Sequence, residues 1–303
     1  MNNVFNSKSI SQLWDRVEKL PVESFQLKFC KGLLGVNTKT SNAAVMGELG
    51  RFPLFMSIIK STLRYIIHIN EIKDTRPLLD AAITADEDLC STKSWRKRIV
   101  KIITLFNCNL NKTPQSQDIT YIMKQMKDSY LSHWKKSLGD TESEEGKLYL
   151  YRKIKTNFGM EPYLRQIIKK KFRRAMTAFR ISAHNLEIET GRYITDKQSA
   201  NKNTSIKRDD RFCTLCYEAN GGKIMGDEKH AVVVCPRFND ERNRLFLRIQ
   251  NKVPNFGKLN DIGKLLFMLT CERECAIMVG KYLNNILSTQ RPSFSKIWKR
   301  LNE

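Results

Sequence analysis

Three cysteines and one histidine sit close together as Cys213-x2-Cys216-x13-His230-x4-Cys235. Thiolate sulfur and imidazole nitrogen are the donors zinc takes in tetrahedral sites, and a closed Cys3His shell marks a structural rather than a catalytic ion. The two-residue gap lets Cys213 and Cys216 turn back onto one metal, and Gly221-Gly222 permits the reversal that brings in the second pair. Asp227 or Glu228 can cap a short helix running through His230, and Pro236 helps to stop it after Cys235. Three reduced cysteines beside a surface histidine are the rival reading. Against it, the chain has only 4 His and one of them falls in register. A redox Cys-x-x-Cys needs a strand-then-helix setting that is absent here. His68, His133 and His184 have no cysteine or acidic cluster nearby and read as structural.

The second feature is charge. Residues 151–180 hold ten Lys/Arg and a single Glu, Glu161. If Pro162 opens a helix, Leu164, Ile168, Phe172, Ala175 and Phe179 form an apolar stripe. Arg165, Lys169, Arg173 and Arg180 then form a cationic stripe beside it. Such a row could follow a phosphate backbone, releasing counterions as it neutralises phosphates. Lys207, Arg208 and Arg211 lead into the cysteine cluster, and Arg237, Arg242 and Arg244 follow it, as suits a nucleic-acid-binding knuckle. An ordinary solvated helix face remains the alternative for the stripe. Tyr149, Tyr151, Phe158 and Tyr163 lie close enough to stack on bases but are assigned no such role.

The elements that must hold these groups read as helices. Apolar residues recur at three and four from Pro53 to Asn70, with Pro53 expected near the first helical position. Further helices are expected over 10–20, 22–34, 94–106, 119–138 and 257–287. Cys271 and Cys275 would then form a helical i,i+4 pair. Polar stretches over 139–146 and 195–210 read as loops. The expected fold is mainly α, an irregular helical array with a small Cys3His zinc knuckle. Its regions are 1–138, a basic helical region 147–194, the finger and following helix 206–250, and C-terminal helices 251–303.

Composition sets the bounds. The 303 residues carry 53 Lys+Arg against 31 Asp+Glu, a net charge of +22, which favours polyanionic partners. A hydrophobic fraction of 41% can fill a core, and eight cysteines are too few for a disulfide scaffold. No apolar run approaches the ~20 residues that span a bilayer. No signal-like segment opens the chain, so an intracellular place, nuclear or cytoplasmic, is expected.

Phe25–Val36 with Ala44-Val45-Met46-Gly47-Glu48-Leu49-Gly50-Arg51-Phe52-Pro53-Leu54 resembles the region downstream of the polymerase domain in non-LTR (LINE-type) retrotransposon proteins of invertebrates. Phe179–Leu186 with Glu189-Thr190-Gly191-Arg192-Tyr193 is similar to it too. The Cys213–Cys235 finger, with Asp227-Glu228-Lys229-His230 and Cys235-Pro236-Arg237-Phe238, looks like the one that closes those polyproteins. Its loop between Cys216 and His230 is several residues longer than the family pattern. The resemblance implies a C-terminal fragment that holds template RNA or target DNA beside a polymerase domain of the same element. It also implies that Cys213, Cys216, His230 and Cys235 hold structural Zn2+.

Catalysis is not expected. Two-metal polymerisation needs carboxylates held rigidly around paired ions. The one Asp-Asp, Asp209-Asp210, lies in a polar linker, and no Pro-Asp nuclease signature, Gly-x-Ser-x-Gly elbow or phosphate-cradling Gly-rich loop occurs. The rival expectations are a protein-interaction module that docks on a polymerase, and an inert product of a truncated element.

Overall fold

The computed structural model describes residues 4–90, 93–108, 115–139, 146–194 and 205–301. The expected loop core over 140–145 and the first ten residues of the 195–210 stretch lie outside them. The described residues are mainly helical. The helices are α1 Ile10–Val17, α2 Pro21–Leu34, α3 Asn42–Leu49, α4 Leu54–Ile72, α5 Pro77–Asp88, α6 Trp95–Thr104, α7 Ser116–Ser137 and α8 Tyr149–Ile154. They continue as α9 Tyr163–Gln166, α10 Lys170–Arg180, α11 Glu187–Thr190, α12 Thr214–Asn220, α13 Asn239–Lys252, α14 Asp261–Thr270, α15 Arg273–Ser288 and α16 Phe294–Leu301. Among the described residues β-pairing is confined to two isolated antiparallel bridges, Leu49–Met160 and Phe212–Met225.

The chain divides into two compact units, residues 1–30 with 50–139 and residues 31–49 with 140–303. In the first, the period-3/4 apolar face of α4 (Ile59, Leu63, Ile66, Ile69) is buried, as are Ile119, Ile122 and Met126 of α7, against which α4 packs. Trp14 is fully buried; its ring meets Tyr130 edge-on at 5.2 Å and its indole N–H donates to Ser129 Oγ at 3.1 Å. Pro53 stands just before α4 rather than inside it and supplies no side-chain cap. Glu23 does so instead, accepting from Leu54 N at 3.1 Å and Phe55 N at 2.6 Å. Those are donors that every helix start leaves open.

The second unit includes residues 31–49, which the sequence reading gave to the first region. The reason is α3, whose residues Ala44 to Leu49 are all buried. Tyr151 donates its hydroxyl to Ala44 O at 3.1 Å, and Glu48 pairs with Arg180. The centre of this unit is the packing of α10 on α15. A Cβ built on Gly280 would stand 3.1 Å from Phe172 O and 3.2 Å from Ile167 Cδ1. Alanine gains about 1 kcal/mol of helix propensity over glycine. Overpacking against a backbone oxygen costs about 1–3 kcal/mol. Gly280→Ala is therefore expected to lower the thermal midpoint, and a rise would show slack between α10 and α15.

Two expected helices are broken. The long C-terminal one is two, α14 and α15. Cys271 caps the first, with its thiol on Met268 O at 3.2 Å, and Arg273 has φ of 55°. Cys271 and Cys275 are thus not an i,i+4 pair on one helix. The basic helix is broken between α9 and α10, which are separated by Ile167–Lys169.

Candidate metal centre

Phe212 and Met225 form the bridge that opens this segment, with Cys213 N donating to Ile224 O at 2.7 Å and Gly226 N to Arg211 O at 2.8 Å. This turn places Cys213 at the start of α12 and Cys216 inside its first turn. Gly221, at φ of 70°, closes α12 in the left-handed conformation that glycine adopts without a Cβ penalty. The chain then returns. Asp227 Oδ1 accepts from His230 N at 2.7 Å, and a π-helical turn over His230–Val234 ends with Cys235 N on His230 O at 2.6 Å. Asp227 is therefore the cap of that turn. Glu228 faces elsewhere, to Ser182 Oγ at 3.0 Å and His184 Nε2 at 2.9 Å.

Cys213, Cys216, His230 and Cys235 are all buried, and their ligand atoms lie within 4.8 Å of one another. Cys216 Sγ stands 3.3 Å from His230 Nε2 and 3.8 Å from Cys235 Sγ. Sulfur and nitrogen at ~2.0–2.3 Å from a tetrahedral ion would be roughly 3.5–3.8 Å apart, so the set could hold a metal ion. The sulfurs are much too far apart for a disulfide bond, and none of the eight cysteines is in one. His230 presents Nε2 to the sulfurs, and its buried Nδ1 has no hydrogen-bond partner.

The thiols resist ionising together. Hydrogen bonding to Cys235, followed by burial, pushes Cys213 up to about 12, and burial raises Cys216. Cys235 is held below its ordinary value, chiefly by the same bond with Cys213. A divalent ion held there would supply the positive charge that makes three adjacent thiolates compatible.

Groups far away in sequence brace the ligands. Glu187 accepts from Thr214 Oγ1 at 2.6 Å and Thr214 N at 3.2 Å, and pairs with Arg291 at 3.2 Å. The same Arg291 nitrogen lies 4.0 Å from Cys213 Sγ. Arg242 donates to Cys235 O at 2.8 Å, and Tyr282 to Val232 O at 2.9 Å. Phe212 joins Ile206, Phe294 and Ile297 in a small apolar cluster beside the site. Sequence spacing carries no signal for Glu187, Arg291 or Tyr282.

The cations expected to touch nucleic acid separate into two groups. Arg165, Lys169 and Lys207 are exposed, and Arg173 and Arg208 are partly so. Arg180 and Arg211 are not at the surface. Arg180 is 1% exposed and held by Glu48 (2.6 Å), Glu161 (2.5 Å) and Leu269 O. Arg211 is buried, donating to Ile206 O at 2.7 Å and Ile188 O at 3.0 Å. Gly191 leaves room for it, since a Cβ there would meet the Arg211 side chain at 2.7 Å. The break at 167–169 divides the expected stripe, and Arg180, seven residues from Arg173 on α10, is drawn out of it by Glu48 and Glu161. Ile168, expected on the apolar face, is 86% exposed. Tyr151 and Tyr163 are core residues.

Compared with protein-family models, with curated proteins and with solved structures, the chain gives no match.

Proposed function

We propose that the chain is a non-catalytic nucleic-acid-binding protein whose Cys3His cluster is a zinc knuckle. The retrotransposon resemblance further assigns it to the post-polymerase region of a non-LTR element. The observation that carries the reading is the buried convergence of Cys213, Cys216, His230 and Cys235 within a chain of net charge +22. Three thiols and an imidazole form a soft donor set that selects zinc over magnesium or calcium. Four ligands close the tetrahedron and leave no position for a reacting water, so the ion's role is to hold the 212–235 turn. The surrounding cations supply attraction to phosphate.

The test is salt. Affinity for RNA or DNA is expected to fall by orders of magnitude between about 50 and 200 mM salt, in proportion to the number of phosphates contacted. A flat response in a binding titration would refute the reading.

One observation favours a protein partner as well. Phe25 and Phe29 stand one turn apart on α2 and are 72% and 65% exposed. Such a pair suits docking on another protein, and under the resemblance that partner is the polymerase domain of the same element. Loss of association on Phe25→Asp/Phe29→Asp, with RNA affinity unchanged, would separate this contact from nucleic-acid binding.

A further inference from the structure

Resting on that nucleic-acid reading, we infer that the phosphodiester backbone is held in a groove walled by α10, α13 and α15, not along the row Arg165, Lys169, Arg173 and Arg180.

Two concavities meet on this face. One encloses about 470 Å³ and takes Lys171, Arg244, Arg248 and Lys281 into its lining. The other encloses about 640 Å³ and adds Lys170 and Arg174. They share Lys171 and Asn284 in their linings, so the two concavities adjoin on this face. Six cations line them against a single carboxylate, Glu241. Among the described residues none of the six is in an ion pair. This differs from Arg180, whose charge is consumed inside the protein.

The phase of the observed helix explains the choice. With α10 starting at Lys170, Phe172, Ala175, Met176 and Phe179 turn inward. Lys170, Lys171 and Arg174 are then left on the open side. Arg244 and Arg248 are one turn apart on α13, and Lys281 projects from α15, which packs against both α10 and α13. Arg174 has a fixed bed. Its side chain lies over Gly35, which has φ of 71°, and a Cβ there would stand 2.1 Å from Nε.

The lining also defines the ligand class. Its amides, Asn37, Asn185, Asn284 and Asn285, can donate to phosphate oxygens. Its two aromatic rings, Phe172 and Tyr282, are buried and offer no face on which a base could stack. The groove therefore grips the backbone and is indifferent to sequence.

The experiment uses the full chain and fluorescence anisotropy with a 30-nucleotide uridine RNA and a 30-nucleotide thymidine DNA, titrated over a range of KCl. The groove variant is Lys171→Gln/Arg174→Gln/Arg244→Gln/Lys281→Gln. The comparison variant removes the same charge elsewhere, Lys60→Gln/Arg64→Gln/Lys124→Gln/Lys127→Gln. The groove variant is expected to reduce the magnitude of the log K against log salt slope by about 2.8, at ~0.7 per lost single-strand phosphate contact. The comparison variant should shift it by less than about 1. Equal losses in both variants, an unchanged slope in the groove variant, or binding of polyglutamate as tight as RNA would each overturn the groove. A flat response from the unaltered chain would instead refute nucleic-acid binding itself. Should the groove variant misfold, lysine acetylation of the unaltered chain gives the same answer. Bound RNA must protect Lys171 and Lys281 while leaving Lys124 and Lys127 reactive, and the reverse pattern would overturn the assignment.

Discussion

On the proposed zinc assignment, withdrawing the ion is expected to unfold the segment around residues 211–238. Zinc binding to structural sites of this kind amounts to about 10–16 kcal/mol at neutral pH. That is as large as the whole stability of a typical domain, about 5–15 kcal/mol. The segment's strand-like pairing is one isolated bridge; Phe212 joins a cluster of four buried side chains, and Ala231, Val232, Val233 and Phe238 are buried beside the ligands. Hydrogen exchange with and without a chelator reads the effect. The amides of Cys213, Gly226 and Cys235, which are hydrogen-bonded in the turn, should lose protection. Those of α4 and α7, in the other unit, should keep theirs and act as an internal reference. Cys216→Ser should reproduce the loss without chelator, because Cys216 Sγ stands within 3.8 Å of both His230 Nε2 and Cys235 Sγ. Unchanged protection after complete metal removal, or the absence of one tightly held zinc per chain, would defeat the metal assignment.

Arg180→Met should cost the second unit about 3–5 kcal/mol, the price of leaving a buried charge without its partner. Arg180 bridges Glu48 on α3 and Glu161 just before α9, and it also donates to the Leu269 carbonyl at the end of α14. Glu48 is completely buried. Burial alone would lower the Arg180 pKa, but Glu48 together with Tyr163 and Glu161 outweighs it and holds the guanidinium above its ordinary value. For a unit of this size, the loss corresponds to roughly 6–20 °C in the thermal midpoint. Glu161 keeps a second partner in Lys155 at 2.5 Å, so most of the penalty should come from Glu48. The double variant Glu48→Gln/Arg180→Met should recover much of the loss, since removing both charges removes the unpaired one. A double variant as unstable as the single would place the cost in packing rather than in charge. RNA affinity should follow stability only, because Arg180 does not reach the surface; loss of affinity in a still-folded Arg180→Met would restore it to the binding row.

These two predictions also mark where sequence reading succeeds and where it stops. The helical character was legible, because apolar residues at three and four must share one face of a helix whatever surrounds them. α1, α2, α4, α6 and α7 lie where that periodicity put them. The four candidate ligands were legible from spacing, because two residues between Cys213 and Cys216 suffice to aim both sulfurs one way. Helix ends were less so. The break between α9 and α10 and the one at Cys271–Glu272 arise where α9, α10, α14 and α15 pack together, and no local residue announces them. The first break divides the expected cationic stripe, and the carboxylates of Glu48 and Glu161 take Arg180 out of it.

Taken alone, the sequence determined the helix-rich class, the excess of positive charge and a soft donor set at metal-binding spacing, all consequences of residue type and short-range order. Tertiary structure alone decided which cations face outward. Arg180, Arg211 and Arg242 look identical in sequence to Lys171, Arg174 and Arg244. The former lie where carboxylates or backbone carbonyls must be satisfied in the interior, whereas the latter lie along adjoining concavities with one carboxylate. The partners that bury an arginine come from residues up to 132 positions away, as with Glu48, and such distances have no period to read.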